Sequence, residues 1–241
     1  MKYNDIADIT RLLSQIGWAE RNAGNFSMQI TQELCSILRR DFQQVNELSD
    51  FENELKDLVS PDSSLIELNL FISISGCRFR EIYKNPSQYT GILSINFIKK
   101  NILWYHMEKD AMPSSEWRSH LRLHLEMIRL NSRNLCILHT HPTELIALSH
   151  KLAHLNEDEI NNILWNMMPE VKYFIPKGIG LVPLQVPGSD ELAKASKEKI
   201  RFYDIILWQK HGCLAMGKDL WDSFESIEII NKAAKIYLLA H

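Results

Sequence analysis

The chain has 241 residues, of which 45% are hydrophobic and 24% charged, and its formal net charge is −3. This composition is typical of a globular protein with enough residues for one large domain or two small ones. There is no basic surplus, which argues against nucleic acid or a membrane surface as a partner. No apolar run approaches the roughly 18 residues of a membrane-spanning helix.

The N-terminal segment and the cysteines bear on the cellular compartment. Residues 1–13, MKYNDIADITRLL, lack the long apolar core of a signal peptide and instead carry the spacing of an amphipathic helix. The four cysteines are far apart and form no CxxC pair. Free, buried thiols in a reducing compartment are the simplest account of this pattern. We therefore expect a cytoplasmic protein.

The first half of the chain, after its N-terminal helix, predicts strands followed by a helix. Residues 41–64 are polar and acidic, and they predict a helical excursion and a turn. Residues 71–76, FISISG, predict a strand, and residues 91–98 and 101–107 predict a hairpin. A helix is expected after Pro113, because apolar residues recur there at helical spacing.

The second half of the chain alternates strands and helices. Residues 134–140 predict a strand, residues 143–155 and 158–168 predict helices, and residues 173–184 predict short strands broken by proline and glycine. Asn156 and Ser189 are the expected caps of two helices. Residues 204–217 predict a strand pair or a single strand with a bulge, and a long helix from Leu220 completes the chain. Because no clean parallel βαβ rhythm is visible, we expect an α/β sandwich with a mixed, largely antiparallel sheet.

Three histidine pairs have spacings found at metal sites. His139 and His141 alternate on one strand and so share a face, and Pro142 ends that strand at once. A catalytic zinc site usually needs a third protein ligand, and His211 is the candidate because it also follows an apolar strand. Spacing alone does not establish that His211 meets the other two histidines.

The other two pairs are four residues apart on predicted helices. They are His120 with His124, and His150 with His154. Neither pair contains the glutamate that follows the first histidine of an HExxH zinc motif. We expect all four to be ordinary partly buried or surface histidines. Cys213 lies two residues after His211 and is the cysteine nearest to the candidate site in sequence.

Seven segments together carry a resemblance to a known family. They are GWAERNAGNFS at 17–27, SGCRF at 75–79, PSSEWRSH at 113–120, HTHPTELIAL at 139–148, LWNMMPE at 164–170, GIGLVPLQVPGSDEL at 178–192 and KHGCLAMG at 210–217. In this order they resemble the class II, zinc-dependent sugar-phosphate aldolases. Ala23 and Cys77 depart from the family pattern, in which glycine is expected at both positions, but both residues are small.

The resemblance implies a fold, an activity and an assembly. The fold is a three-layer α/β/α sandwich forming a single domain over residues 1–241. The activity is retro-aldol cleavage of a sugar phosphate through a zinc-stabilised enediolate, with rhamnulose 1-phosphate as the expected substrate. Dihydroxyacetone phosphate and lactaldehyde are the expected products. The assembly is a homotetramer with active sites near the subunit contacts.

The resemblance also implies roles for individual residues. Zinc is expected to be held by His139, His141 and His211. Glu116 is expected to move a proton at the carbon next to the carbonyl, and Glu170 of a neighbouring subunit to serve the aldehyde end. Phosphate binding falls on three turns, with the residues Asn22, Gly24, Asn25, Ser75, Gly76 and Ser115. From the sequence pattern alone, Glu116 also fits an acid that stabilises a helix start, and Glu170 a loop carboxylate.

Three other functions remain open. A fuculose-1-phosphate aldolase would share the zinc ligands and the SSEW motif. A ribulose-5-phosphate 4-epimerase would share the histidines but lacks a glutamate at the position of Glu116. A metal-free binding module would have lost the zinc ligands, and here all three histidines and Glu116 are present.

Overall fold

The computed structural model describes residues 3–48 and 65–241. Its helices are Tyr3–Gln15 (α1), Gln32–Leu38 (α2), Phe79–Ile82 (α3), Trp117–Arg129 (α4), Thr143–Lys151 (α5), Glu157–Met167 (α6), Pro169–Phe174 (α7), Asp190–Lys199 (α8) and Leu220–Ala240 (α9), with a 3₁₀ turn at Pro86–Tyr89. Its strands are Asn25–Ile30 (β1), Gln43–Glu47 (β2), Glu67–Ser73 (β3), Thr90–Asn96 (β4), Asn101–His106 (β5), Cys136–Thr140 (β6), Ile179–Val182 (β7), Ile205–Trp208 (β8) and Gly212–Gly217 (β9).

The strands of the described residues form one sheet in the order β2-β5-β4-β3-β1-β6-β9-β8-β7. Every neighbouring pair is antiparallel except β7 and β8, which run parallel. Strand β6 lies near the middle, between β1 and β9. The predicted mixed, largely antiparallel sheet is confirmed.

Helices cover both faces of this sheet. Helices α1, α5, α6 and α9 pack with other elements against one face, and α4 and α8 pack against the other. Strand alternation divides β6 between the two layers, because Cys136 and Leu138 join the first core while Ile137 joins the second. The predicted three-layer α/β/α architecture is therefore confirmed.

Local signals account for most of the helix starts. Asn156 and Glu159 form a reciprocal capping box at α6, and the Ser189 side chain accepts the Leu192 N–H at α8. Both caps are as expected. Pro169 sits in the first turn of α7, so Tyr173 and Phe174 are helical instead of belonging to the short strands expected at 173–184.

The polar segment after α2 differs from its expectation. Residues 43–47 form the edge strand β2 instead of a helix, and they pair with β5. The polar side chains of this segment do not predict a strand, because the pairing depends on backbone hydrogen bonds. The remainder of that expectation, residues 49–64, lies outside the described residues. Among the described helices, none combines the length and the apolar character needed to cross a membrane.

Candidate active site

The end of strand β6 places two histidines at one side of the sheet. The ring of His139 is buried against the indole of Trp208, with 4.5 Å between ring centroids. Beyond it, the backbone N–H of His141 and the hydroxyl of Thr140 both donate to the carbonyl of Trp18, at 2.8 and 2.5 Å. This carbonyl anchors the loop after α1 to the end of β6, so the two histidines have a fixed backbone.

His211 reaches the same place from a tight turn between β8 and β9. Trp208 pairs with Gly212 across the turn, and the His211 N–H donates to the Trp208 carbonyl at 3.1 Å. Lys210 takes a left-handed conformation, with φ of 61°, and its N–H donates to Ser149 Oγ. The ring centroid of His211 consequently lies 5.0 Å from that of His139 and 5.1 Å from that of His141.

Gly212 permits this close approach of the two chain segments. A Cβ built at this position would stand 2.6 Å from the Thr140 carbonyl oxygen, 2.8 Å from Cδ2 of His141 and 3.2 Å from Cε1 of His139. Any larger residue would therefore push β9 or the imidazoles aside.

The hydrogen bonds around the three imidazoles leave nitrogen lone pairs facing one another. His139 Nδ1 donates to the carbonyl of Cys213 at 2.9 Å, and His141 Nδ1 donates to the carboxylate of Glu20 at 2.8 Å. In neutral imidazoles the Nε2 atoms are then acceptors. These two Nε2 atoms lie 3.3 Å apart, an arrangement that a shared cation would stabilise.

The pKa shifts of His139 and His211 and the environment of the His211 ring also support a metal site. Burial, with the neighbouring His141, lowers the pKa of His139 well below its usual value, and burial likewise lowers the pKa of His211. Nδ1 of His211 is buried without a hydrogen-bond partner among the described residues. One nitrogen from each ring lies within 4.8 Å of the others. Three imidazoles in this arrangement are suitable ligands for a divalent metal ion.

Glu116 lies directly before α4 and is buried. Its carboxylate makes no capping bond to the helix, although the helix N-terminus is adjacent. Instead, Oε2 accepts a hydrogen bond from Asn25 Nδ2 at 3.1 Å. The carboxylate thus faces the site, which removes the simpler interpretation of Glu116 as an acid serving only the helix start.

A cavity of about 260 Å³ joins these groups. Its lining includes the predicted metal ligands, Glu116 and the predicted phosphate turns, namely Asn22, Gly24, Asn25, Ser75, Gly76, Ser115, Glu116, His139, His141 and His211. Gly24 has φ of +83°, and a Cβ there would approach the His139 carbonyl oxygen to 2.9 Å. The Ser75 N–H already donates to the Met112 carbonyl, so this residue offers its hydroxyl.

The comparisons with known proteins agree with this geometry. Residues 4–238 match the family described as class II aldolase and adducin N-terminal domain. The chain belongs to this family. It is 33% identical over 238 residues to a rhamnulose-1-phosphate aldolase of Bacteroides thetaiotaomicron, a match that covers 98% of this chain and 85% of the relative. It is 32% identical to a rhamnulose-1-phosphate aldolase of Listeria welshimeri, covering 98% and 83%.

The fold comparison gives the same family. A sugar-phosphate aldolase from Thermotoga maritima superposes with a TM-score of 0.77 at 30% identity, covering 99% of this chain and 94% of that chain. The resemblance to class II aldolases stated from the sequence motifs is therefore confirmed, and so is the enzyme class.

Not every residue expected from the class II aldolase pattern lies in this cavity. Glu170 is exposed in the first turn of α7 and does not line the cavity of its own chain. His150 and His154 are exposed, as expected. Cys213 is buried in β9 and contributes its carbonyl, not its thiol, to His139.

The helical pair His120 and His124 corrects an expectation. Both side chains are fully buried, not partly buried or at the surface. Asn25 and Ser27 of β1 stand opposite His139 and Ile137 of β6, so they face α4 on the same side of the sheet. The two histidines hydrogen-bond to this polar row of β1. In the segment NFSMQI, Asn25, Ser27 and Gln29 alternate with apolar residues, and this pattern indicates a polar row on one face of β1.

Glu20 is a second residue that the sequence reasoning missed. Its carboxylate fixes the ring of His141 through Nδ1, although its own side chain is 62% exposed. A lone glutamate in a loop after a helix carries no signal of such a contact, because the contact joins residues 121 positions apart.

Proposed function

We propose that this chain is a zinc-dependent aldolase that cleaves L-rhamnulose 1-phosphate to dihydroxyacetone phosphate and L-lactaldehyde. The observation that carries the proposal is one cavity lined by three converging imidazoles and a buried carboxylate. Similarity to the rhamnulose-1-phosphate aldolases of Bacteroides thetaiotaomicron and Listeria welshimeri supports the choice of substrate.

The metal site would consist of His139, His141 and His211. When bound there, zinc would supply a Lewis acid for the negative charge that develops as the bond between C3 and C4 of the ketose phosphate breaks. Imidazole binds a metal ion in its neutral form, so three histidine ligands would leave the ion its full charge. Their orientation is held by the Cys213 carbonyl and the Glu20 carboxylate.

Glu116 would move the proton at the carbon next to the carbonyl. Such a base needs a free oxygen that faces the reacting carbon. Asn25 occupies Oε2, so Oε1 is the oxygen for the substrate proton. The protein surrounding this carboxylate is largely closed to solvent, since Glu116 is 9% exposed.

The three turns around the cavity would bind the substrate phosphate. Ser75 and Ser115 offer hydroxyl groups, and the glycines at 24 and 76 allow the backbone to come close to an anion. The amide of Asn25 already contacts Glu116 and His120, so only its second N–H proton is left for a substrate group.

We further propose that the enzyme is a cytoplasmic homotetramer and that Glu170 acts in the site of a neighbouring copy. The exposure of Glu170 on α7 supports a role outside its own cavity. A second proton transfer is needed at the lactaldehyde oxygen, at the far end of the breaking bond from Glu116.

A direct assay tests the activity. Purified, chelator-free protein would be analysed for metals and then given rhamnulose 1-phosphate, fuculose 1-phosphate and ribulose 5-phosphate in turn. We expect zinc and a faster release of dihydroxyacetone phosphate from the rhamnulose ester. Faster cleavage of the fuculose ester would identify fuculose 1-phosphate as the substrate. Epimerisation of ribulose 5-phosphate would identify the protein as an epimerase. Absence of zinc and of all activity would indicate a binding module.

The role of Glu170 has its own test. We predict that Glu170→Gln slows cleavage but spares exchange of the C3 proton of dihydroxyacetone phosphate with solvent, because Glu170 would act on the other product. Glu116→Gln should slow both. Mixing the two variants under conditions that exchange subunits should restore part of the activity, since some hybrid sites would have both glutamates. Hybrids that form but remain inactive would refute the assignment to a neighbouring subunit.

A further inference from the structure

A continuous row of hydrogen bonds runs from the site into the protein interior behind Glu116. Asn25 Nδ2 lies 3.1 Å from Glu116 Oε2, and Asn25 Oδ1 lies 2.5 Å from His120 Nε2. Ser27 Oγ then lies 2.6 Å from His120 Nδ1 and 2.7 Å from His124 Nε2. At the far end, Gln29 Nε2 lies 3.2 Å from His124 Nδ1.

The chemistry of these groups allows one consistent direction for the donors. The Gln29 amide N–H donates to His124 Nδ1, so the His124 proton is on Nε2 and is donated to Ser27 Oγ. The Ser27 hydroxyl has one proton, which goes to His120 Nδ1. The proton of His120 is then on Nε2 and is donated to Asn25 Oδ1, which turns the Asn25 N–H toward the Glu116 carboxylate.

The surroundings keep both rings in this neutral form. Burial lowers the pKa of His120 to about 4 and the pKa of His124 well below its usual value. Each ring therefore has one proton and one lone pair, and the bonds above use both. Hydrogen bonds aligned in one direction polarise and strengthen one another in a buried site.

We propose that His120 is a positioning residue for the reaction, which acts through Asn25 to hold the Glu116 carboxylate in a fixed orientation. The proposal rests on the proposed function of Glu116. Without the donor at Nε2 of His120, only the Glu116 carboxylate itself remains in the row to hold the orientation of the Asn25 amide. A reversed amide would bring its oxygen against the Glu116 carboxylate, and because both groups are acceptors, the carboxylate would move away from its position.

His124 provides a matched control on the same helix. It is as deeply buried as His120 and also bonds to Ser27. If His124 is replaced by leucine, Ser27 still has its own proton to donate to His120 Nδ1. The orientation of Asn25 therefore survives, while the loss of a buried hydrogen bond still lowers stability.

The experiment compares His120→Leu, His120→Gln and His124→Leu in the zinc-loaded enzyme. We expect His120→Leu to lower kcat and C3 proton exchange by about 10-fold to 100-fold, the effect of one hydrogen bond to a charged group, with little change in KM. His120→Gln, which returns an N–H near the position of Nε2, should recover most of the loss. His124→Leu should unfold at a similarly lowered temperature yet keep kcat near that of the unsubstituted enzyme.

Equal losses of kcat in His120→Leu and His124→Leu, or no recovery in His120→Gln, would overturn the proposal and leave both histidines as core residues. If His120→Leu does not fold, His120→Gln and His120→Asn replace it. The asparagine side chain is too short to place an N–H at the position of Nε2. Equal kcat values for His120→Gln and His120→Asn would therefore also overturn the proposal.

A measurement without substrate separates this inference from the proposed function. Selective ¹⁵N labelling of histidine reads the protonated nitrogen of each ring by NMR. We expect the proton on Nε2 in both His120 and His124. A proton on Nδ1 of His120 would overturn the direction of the row even in an active enzyme. Absence of all aldolase activity, with Nε2 protonated as expected, would instead refute the proposed function.

Discussion

Two histidine pairs on one side of the sheet both have spacings found at metal sites, and they differ in what surrounds them. In the β6 pair, His139 and His141, each Nδ1 has an oxygen acceptor and the two Nε2 lone pairs face each other at 3.3 Å. In the α4 pair, His120 and His124, each ring nitrogen meets a partner of the complementary kind. The first pair is an arrangement that a cation between its nitrogens would stabilise, and the second is complete without one.

This difference teaches that the assignment of a histidine as a ligand depends on unmatched lone pairs more than on spacing. A four-residue spacing on a helix brings two rings to one face, but a polar strand packed on that face can satisfy both. The pair on β6 meets His211, which also has a buried nitrogen without a partner among the described residues. Substitutions at these pairs and at the residues beside them test this difference.

The largest effect is expected at the strand pair. His139→Ala removes one of three ligands, so bound zinc should fall well below about one ion per chain and cleavage should slow by about 10³-fold or more. Elemental analysis and the aldolase assay measure both. His124→Gln is the control from the other pair and should retain its zinc. If His139→Ala keeps the metal or His124→Gln loses it, the assignment of the strand pair as the metal ligands is wrong.

Glu116 lines the same cavity as His139 and His141, and it is also the end of the row of hydrogen bonds that includes His120 and His124. Glu116→Gln keeps the size of the side chain and removes the base, so kcat should fall by about 10²-fold to 10⁴-fold. The zinc content should stay unchanged, because no ligand is lost. A variant that retains its rate of C3 proton exchange would show that another group is the base.

A smaller effect is expected from the backbone that brings His211 to the strand pair. In Gly212→Ala the new Cβ meets the Thr140 carbonyl and both strand histidines, so zinc affinity should weaken by about 10-fold to 100-fold. Titration with a competing chelator measures this change. Gly188→Ala is the control, since a Cβ there meets nothing within 4 Å, and its zinc affinity should not change. Equal affinities in the two variants would mean that the cluster adapts to the added methyl group.

The smallest effect is expected at the third pair. His150 and His154 have the same spacing as the α4 pair but are exposed. Changing both to Gln should leave zinc and kcat unaltered and shift the free energy of unfolding by no more than about 0.5 kcal/mol. Urea unfolding and metal analysis check this. A loss of zinc in this variant would show that a four-residue histidine spacing on a helix does identify metal ligands in this protein.

Much of the fold was predictable because its signals are local. The apolar spacing of α4, the caps at Asn156 and Ser189 and the strand pair of β8 and β9 all depend on residues close in sequence. Strand β2 was not predictable, because its residues are polar and it is held by pairing with β5 across more than fifty positions. Tyr173 and Phe174 were misassigned because Pro169 starts a helix that their own side chains do not favour.

The amino-acid sequence was enough to name the reactive groups of this protein. The strand alternation of HTH, the histidine after the apolar run at 205–208 and the SSEW motif supplied the candidate ligands and base. The folded chain was needed to show which nitrogens face one another, that Glu116 is directed at Asn25 instead of its helix, and that His120 and His124 complete a polar row on β1. The physical reason is that a hydrogen bond depends on distance and direction in space, and these partners are up to 97 positions apart in the chain.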